Sequence, residues 1–177
     1  KAPRPNEVKT RLVPFLTPED ASNFYRSCLL DTVDKVLSLP RTVPALAYTP
    51  NDSEAEFIDL IPEELIRFPQ YGGDLGERML NCLRHGFTEG FRYVAVYGAD
   101  IPHAPAKELA RGFEELRKDR ADLVLGPTKD GGYYFLATSS LHPELFRGIS
   151  WGTQEVYKKT LQRADSLGLR TAVITSV

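Results

Sequence analysis

The chain has 177 residues, which is long enough for one domain with a substantial buried core. Its 22 Lys and Arg residues are balanced by 24 Asp and Glu residues, so the net charge of −2 offers no basic excess to attract nucleic acid. No apolar run approaches the roughly 20 residues that a membrane span requires. Cys28 and Cys82 lack the spacing of a zinc site. These features favour a cytoplasmic protein with reduced cysteines, no nucleic-acid partner and no membrane span.

The first part of the chain predicts one long helix after a proline-rich loop. Residues 1–14 have the composition of a loop, and Thr17 and Pro18 are residue types that begin helices. A strand is predicted over 43–49, and residues 51–69 are predicted to be irregular, with a short helix near 62–66. Apolar residues at helical spacing predict a buried stripe on the long helix: Phe24, Tyr25, Cys28, Leu29, Val33, Val36 and Leu37.

The remainder of the chain alternates helices with short apolar strands. We predict helices that begin after Gly73, near Pro105 and at Thr153. Strands are predicted over 93–97, 123–125, 133–137 and 171–175. This alternation is typical of a parallel sheet with helices on both faces. Ligands bind beyond the carboxyl ends of the strands in such sheets, so the loops there are the candidate binding segments.

Two loops carry charges that suit a nucleotide phosphate and its metal ion. Arg4, Lys9 and Arg11 lie among prolines in the first loop and could bind phosphate oxygens; a solvated basic loop is the alternative. Asp100 follows the strand over 93–97 and could hold Mg²⁺ or Mn²⁺, or it could only shape the turn before Pro102. We expect these cations and Asp100 to lie together.

The loop before the second helix contains paired glycines. Gly72 and Gly73 would let a ligand approach backbone N–H groups at the start of that helix. Asp74 and Glu77 also fit a capping box, which requires no ligand. Both interpretations stay open at this point.

Two later loops have both a structural and a functional interpretation. Asp130, Gly131 and Gly132 form either an ordinary hairpin turn or a close approach to a second substrate. Trp151 either closes the core or stacks on a sugar or base, and we favour the core.

Five segments in order resemble a known family, the bacterial glycosyltransferase-like proteins called DUF2064. They are residues 2–14, 72–79, 98–104, 126–136 and 148–153, and they cover essentially the whole chain. Asn6 stands where the family usually has glycine, and we expect the turn to survive because Asn tolerates positive φ.

The resemblance implies a GT-A-like, Rossmann-like fold of the nucleotide-diphospho-sugar transferases. We therefore expect an α/β protein with three α/β/α layers and a mostly parallel sheet, as one nucleotide-binding transferase domain over 1–177. The first strand of that fold would lie upstream of Lys1, so we expect the natural protein to begin with an additional apolar strand.

The resemblance also implies roles for individual residues. Catalytic roles fall to Lys9, Arg11, Asp100 and Asp130, with Asp100 as the metal ligand. Nucleotide binding falls to Arg4, Lys9, Arg11, Gly72, Gly73, Asp74 and Arg78. Acceptor binding falls to Gly131, Gly132, Tyr133 and Trp151.

The implied function is that of a glycosyltransferase-like enzyme. With one divalent cation, it would transfer a group from a nucleotide or nucleotide-sugar donor to a small-molecule acceptor. The alternative is a nucleotidyltransferase, similar to phospholactate guanylyltransferase, that uses a nucleoside triphosphate and a small phosphorylated acceptor. A non-catalytic nucleotide-binding module is a third hypothesis, because Asp100 is not part of an Asp-X-Asp pair. The acceptor and the oligomeric state stay open.

Overall fold

The structure is a computed structural model that describes all 177 residues, and the chain divides into two compact units. The first unit comprises residues 1–70 and 99–102, and the second comprises residues 71–98 and 103–177. Each unit contains its own buried apolar cluster. The single domain predicted over 1–177 stays a prediction. No helix is both long enough and apolar enough to cross a bilayer.

The first unit is built on one long helix and a two-stranded parallel sheet. The strands pair from Ala45 with Ile66 to Tyr48 with Pro69. After a short 3-10 turn at Thr10–Leu12, the elements are α1 (Pro18–Leu37), β1 (Ala45–Tyr48), α2 (Ala55–Ile58) and β2 (Ile66–Pro69).

Helix α1 begins where the sequence predicts. The Thr17 hydroxyl accepts a hydrogen bond from the Asp20 N–H at 3.1 Å, and Pro18 occupies the first helical position. Its buried face contains Tyr25, Cys28, Leu29 and Val33. The predicted burial of Phe24 and Leu37 is wrong, because both lie on the flanks of that face and are 49% and 38% exposed.

Over residues 51–69, after β1, the prediction differs from the structure. The short helix is α2, seven residues before the predicted position, and it is anchored by the fully buried Phe57 against the ring of Tyr48. Residues 66–69 form β2 instead of irregular chain. The alternation of Ile66, Arg67 and Phe68 is too short to predict a strand by itself, and the pairing with β1 supplies the hydrogen bonds that define it.

The second unit contains a four-stranded sheet in the order β3-β5-β4-β6. Strand β5 is antiparallel to both of its neighbours, whereas β4 and β6 are parallel. Three of the four strands therefore run in one direction, and β5 runs against them. The elements are α3 (Leu75–Thr88), β3 (Val94–Tyr97), α4 (Ala106–Arg117), β4 (Leu123–Pro127), β5 (Tyr133–Thr138), α5 (Val156–Ser166) and β6 (Thr171–Val173).

Helices cover both faces of this sheet. On one face, Leu125 and Leu136 pack in a cluster with Leu83 of α3 and Ala164 of α5. On the other face, α4 approaches closely at Gly112, where an added Cβ would lie 2.8 Å from the ring of Phe135. The second unit thus has the predicted α/β/α layers.

A buried carboxylate on α4 fixes the segment that follows β6. Glu108 accepts hydrogen bonds from the Thr175 N–H at 3.0 Å and the Thr175 hydroxyl at 2.7 Å, and it forms an ion pair with Arg111 at 2.9 Å. The Thr175 hydrogen bonds, followed by the Arg111 charge, hold the pKa of Glu108 below its ordinary value.

Replacing this carboxylate provides a test of its contribution to stability. We expect Glu108→Gln to lower the free energy of unfolding by about 1–2 kcal/mol at pH 7, because charged hydrogen bonds to Thr175 are lost. Since the native pKa is lowered, the carboxylate stabilises the fold above its unfolded-state pKa of about 4.3. That stabilisation is lost as the pH falls through the native pKa.

Urea unfolding at pH 7, 5, 4 and 3 would measure this difference. The gap between wild type and Glu108→Gln should shrink toward pH 3, whereas Glu63→Gln, which removes an exposed and unpaired carboxylate, should match wild type throughout. A gap that stays constant with pH would contradict the assignment.

Candidate functional site

The first predicted site residues that the structure brings into contact are Lys9 and Asp100. The Lys9 ammonium lies 2.7 Å from Asp100 Oδ2, although the two residues are 91 positions apart in the sequence. Both belong to the first unit. The expectation that the first-loop cations lie beside Asp100 is confirmed for Lys9 only, because Arg4 pairs with Glu56 and Arg11 makes no contact with Asp100.

The backbone of the first loop has a positive φ angle at two positions, one of which is Lys9 itself. Lys9 has φ 47° and ψ 34°, and Asn6 has φ 62°, so both occupy the left-handed region. The predicted positive φ of Asn6 is therefore observed. For Lys9 this conformation costs about 1–2 kcal/mol, and residues held in this way are frequent at functional sites.

The Lys9–Asp100 pair is accessible and only weakly held. The side chains are 26% and 40% exposed, and ion pairs of this exposure contribute about 0–1 kcal/mol to stability. Asp100 Oδ1 accepts no hydrogen bond. Because this ion pair is weak, Lys9 and Asp100 can exchange partners at little cost. The Asp100 charge also acts on the Tyr25 hydroxyl, whose pKa is raised to about 12 by burial and, secondarily, by that charge.

The two arginines of the first loop differ in their surroundings. Arg4 holds the carboxylate of Glu56 with both Nε and Nη2, and a second carboxylate, Glu7, lies 3.8 Å from Nη1. Arg11 is exposed and has no carboxylate partner. Arg11 is therefore the arginine available to a phosphate, whereas Arg4 would first have to release Glu56.

The glycine loop of the second unit caps α3 with both predicted carboxylates, although Glu77 reaches the N–H of Gly73 instead of that of the N-cap residue Asp74. Asp74 Oδ1 accepts from the Glu77 N–H at 2.8 Å, and Glu77 Oε2 accepts from the Gly73 N–H at 2.7 Å. Gly72 has φ +142°, and an added Cβ there would lie 2.7 Å from the backbone nitrogen of Arg78. Arg78 Nε donates to the Gly72 carbonyl at 3.2 Å, which leaves its terminal nitrogens available.

The side chain of Trp151 packs in the core of the second unit, as the structural interpretation predicts. Its ring stacks with Phe146 at a centroid distance of 6.4 Å and lies against the backbone of Gly76 in α3. Its Nε1 is shielded from solvent and donates no hydrogen bond. The loop over 148–153 is thereby fixed to the first turn of α3.

The segment around Asp130 is the hairpin turn between β4 and β5. Asp130 Oδ1 accepts from the Gly132 N–H at 3.2 Å and from the Thr128 hydroxyl. Gly131 has φ +85°, its carbonyl accepts from the Tyr157 N–H at 2.9 Å, and an added Cβ there would lie 2.1 Å from the Gln154 carbonyl. The turn is therefore docked against the start of α5.

Tyr133 contributes backbone to this turn but not an exposed side chain. Its ring packs against the apolar cluster of the second unit, and its hydroxyl is shielded from solvent. Burial raises the pKa of this hydroxyl well above its ordinary value. The predicted acceptor contact of Tyr133 is thus limited to its main chain in this conformation.

Two residues that contact the predicted segments were not found by sequence reasoning. Glu56, which pairs with Arg4, lies in an acidic stretch whose only signal is its charge. Gln154, whose carbonyl faces Gly131, carries no local signal, because the contact depends on how the hairpin docks.

Comparison with known proteins identifies the family. The profile of the uncharacterized proteins conserved in bacteria, DUF2064, matches residues 32–153. The chain belongs to the DUF2064 family.

Two relatives extend this result. A crystal structure from Desulfovibrio desulfuricans G20, whose own assignment as a nucleotide-diphospho-sugar transferase is provisional, superposes with a TM-score of 0.92 at 29% identity, covering 99% of this chain and 76% of the other. The 2-phospho-L-lactate guanylyltransferase of Methanobrevibacter ruminantium is 26% identical over 167 residues, which is 87% of this chain and 69% of that protein. The predicted fold and the predicted enzyme class, a transferase, are confirmed.

The carboxylates of this DUF2064 protein do not form a ready-made metal cage. No group of three or more His, Cys, Asp or Glu side chains is placed to share an ion. Mg²⁺, however, is commonly held by one or two carboxylates together with water and substrate phosphates. Asp100, whose side chain is 40% exposed and whose Oδ1 accepts no hydrogen bond, fits a cation that arrives with a nucleotide.

The contact between Trp151 and Gly76 can be tested by adding one methyl group. In Gly76→Ala the Cβ would lie 2.4–2.6 Å from three indole atoms, and the overpacking should cost about 1–3 kcal/mol. Alanine's higher helix propensity offsets only about 1 kcal/mol of this. We therefore expect a less stable protein and a shifted fluorescence emission, which reports on the contact because Trp151 is the only tryptophan.

Urea unfolding and emission spectra would measure both effects. Gly73→Ala is the matched control, since its Cβ would meet only the Glu77 carboxylate at 3.4 Å. Wild-type stability and emission in Gly76→Ala would contradict the described packing.

Proposed function

We propose that this protein transfers a group from a nucleotide-bearing donor to a small-molecule acceptor, with Lys9 and Asp100 at the donor's phosphates. The observation that carries the proposal is the 2.7 Å contact between these two side chains. The similarity to a nucleotide-diphospho-sugar transferase structure supports it.

The ion pair suits a site that is filled by a metal-bound nucleotide. Without ligand, Lys9 and Asp100 neutralise each other. A phosphate offers Lys9 a new anion, and a divalent cation offers Asp100 a new positive partner, so the pair separates without leaving an unpaired charge. The exposed Arg11 adds a second cation for the phosphates.

Catalysis at such a site is mainly positioning and electrostatics. Mg²⁺ or Mn²⁺ held by Asp100 would neutralise charge that develops on the departing phosphate. Lys9 and Arg11 would orient the phosphate oxygens and stabilise the same charge. We also assign Gly72, Gly73, Asp74 and Arg78 to the nucleotide, and Asp130, Gly131 and Gly132 to the acceptor. Trp151, whose ring packs in the core of the second unit, is not assigned a contact with the acceptor in this conformation.

Two reactions are compatible with a nucleotide-bearing donor, and they differ in the bond that breaks. In glycosyl transfer the acceptor displaces a nucleoside diphosphate from the sugar carbon. In nucleotidyl transfer an acceptor phosphate oxygen attacks the α-phosphorus of a nucleoside triphosphate and releases pyrophosphate. Glycosyl transfer is our first candidate, and the match to a guanylyltransferase over most of the chain favours nucleotidyl transfer as the second.

The released product distinguishes these reactions. The purified protein would be incubated with Mn²⁺ and each sugar nucleotide or nucleoside triphosphate, with a panel of sugars and small phosphorylated acids as acceptors. Nucleoside diphosphate from a sugar nucleotide would support the first candidate. Acceptor-dependent pyrophosphate would replace it with the second. Tight binding without any product would instead support a non-catalytic module.

The proposed role of Asp100 predicts that metal and nucleotide bind together. In calorimetry with GTP and with UDP-glucose, Mn²⁺ should increase the affinity of the wild type for one of them at least tenfold, which is about 1.4 kcal/mol. Mn²⁺ alone should show no measurable binding, because one carboxylate is too few ligands.

Asp100→Asn should abolish this metal effect, while its affinity in EDTA should equal or exceed that of the wild type because Lys9 is no longer paired with a carboxylate. Asp59→Asn, which removes an exposed carboxylate of the same unit, should retain the full effect. An Asp100→Asn protein with the wild-type response to Mn²⁺ would overturn the assignment.

A further inference from the structure

The segment that carries Asp100 is held at both of its ends within the first unit. At one end, Ala99 packs against the apolar cluster that contains Leu29 and Val33 of α1. At the other end, the Lys35 ammonium donates a hydrogen bond to the Pro102 carbonyl. Asp100 lies between these two attachments.

Lys35 lies on the same side of α1 as three of its buried residues. Tyr25, Cys28, Thr32 and Lys35 follow one another at spacings of three, four and three residues, which places them on one side of the helix. The Asp100 charge contributes to the raised pKa values of Tyr25 and Cys28. This face of α1 therefore lies along the segment that contains Asp100.

The contact between Lys35 and Pro102 differs from an incidental surface contact. The Lys35 side chain is partly buried, and burial lowers its pKa. A hydrogen bond from a charged donor is stronger than a neutral one. If that donor were removed, the Pro102 carbonyl would lose the partner that Lys35 provides.

We propose that Lys35 is a positioning residue, whose hydrogen bond to the Pro102 carbonyl fixes Asp100 for its exchange between Lys9 and a metal-bound nucleotide. The inference rests on the proposed function for the role of Asp100, but the positional effect can be measured without a ligand.

The positional effect is tested by comparing amide resonances in heteronuclear NMR spectra. Lys35→Met retains most of the aliphatic stem and removes the donor. The Asp100 and Ile101 amide signals should shift or broaden in this variant. Arg26→Met, which removes an exposed cation from the same helix, should leave them unchanged, and Lys35→Arg should restore them at least in part. Unchanged Asp100 and Ile101 signals in a folded Lys35→Met protein would overturn the proposal, whether or not the protein is a transferase.

The functional effect is tested by the metal dependence of nucleotide binding. Lys35→Met should weaken Mn²⁺-dependent GTP or UDP-glucose binding about 3–10-fold, while binding in EDTA is unchanged. Combined with Asp100→Asn, it should add no further loss, because Lys35 acts through Asp100. Additive losses, or equal losses with and without metal, would show a general structural role and overturn the proposal. If the wild type itself shows no metal effect, the proposed function fails and the NMR comparison alone decides the role of Lys35.

Discussion

The 2.7 Å ion pair between Lys9 and Asp100 is the contact on which the account of this protein depends. Each partner is placed by a separate device. Lys9 projects from a turn with two left-handed residues, and Asp100 lies between the packed Ala99 and the Pro102 carbonyl held by Lys35. The pair is partly exposed and weak, so its value lies in bringing opposite charges from distant parts of the chain to one place where a ligand can separate them.

The local parts of the fold could be predicted because their signals lie within a few residues. Thr17 and Pro18 start α1, and Asp74 with Glu77 caps α3, since each cap needs only its own first turn. Strand β2 could not be predicted in this way. Its apolar alternation covers only Ile66 to Phe68, which is too short to be a signal, and the segment is defined as a strand by its pairing with β1. The predicted burial of Phe24 is wrong for a related reason, because the packing of the whole helix decides where its buried face ends.

The candidate site, too, could be predicted only in part. The contact between Lys9 and Asp100 could be expected from three observations. The residue types suit a phosphate and a metal ion, Asp100 follows the carboxyl end of a strand, where ligands bind in such sheets, and the segments resemble a known family. The pairing of Arg4 with Glu56 could not, because it joins residues 52 positions apart and depends on tertiary placement. The same holds for Lys35, whose role depends on a backbone carbonyl that no sequence pattern marks. Physical reasoning from the sequence thus found the charged pair but not the contacts that orient it.

The central claim is most directly tested by locating the metal in crystals grown with Mn²⁺ and the nucleotide that binds. The anomalous difference map should show one peak within coordination distance of an Asp100 carboxylate oxygen, about 2.0–2.6 Å, with Lys9 moved from Asp100 to a phosphate oxygen. A manganese peak on other residues, with the Lys9–Asp100 pair intact beside a bound nucleotide, would contradict the account.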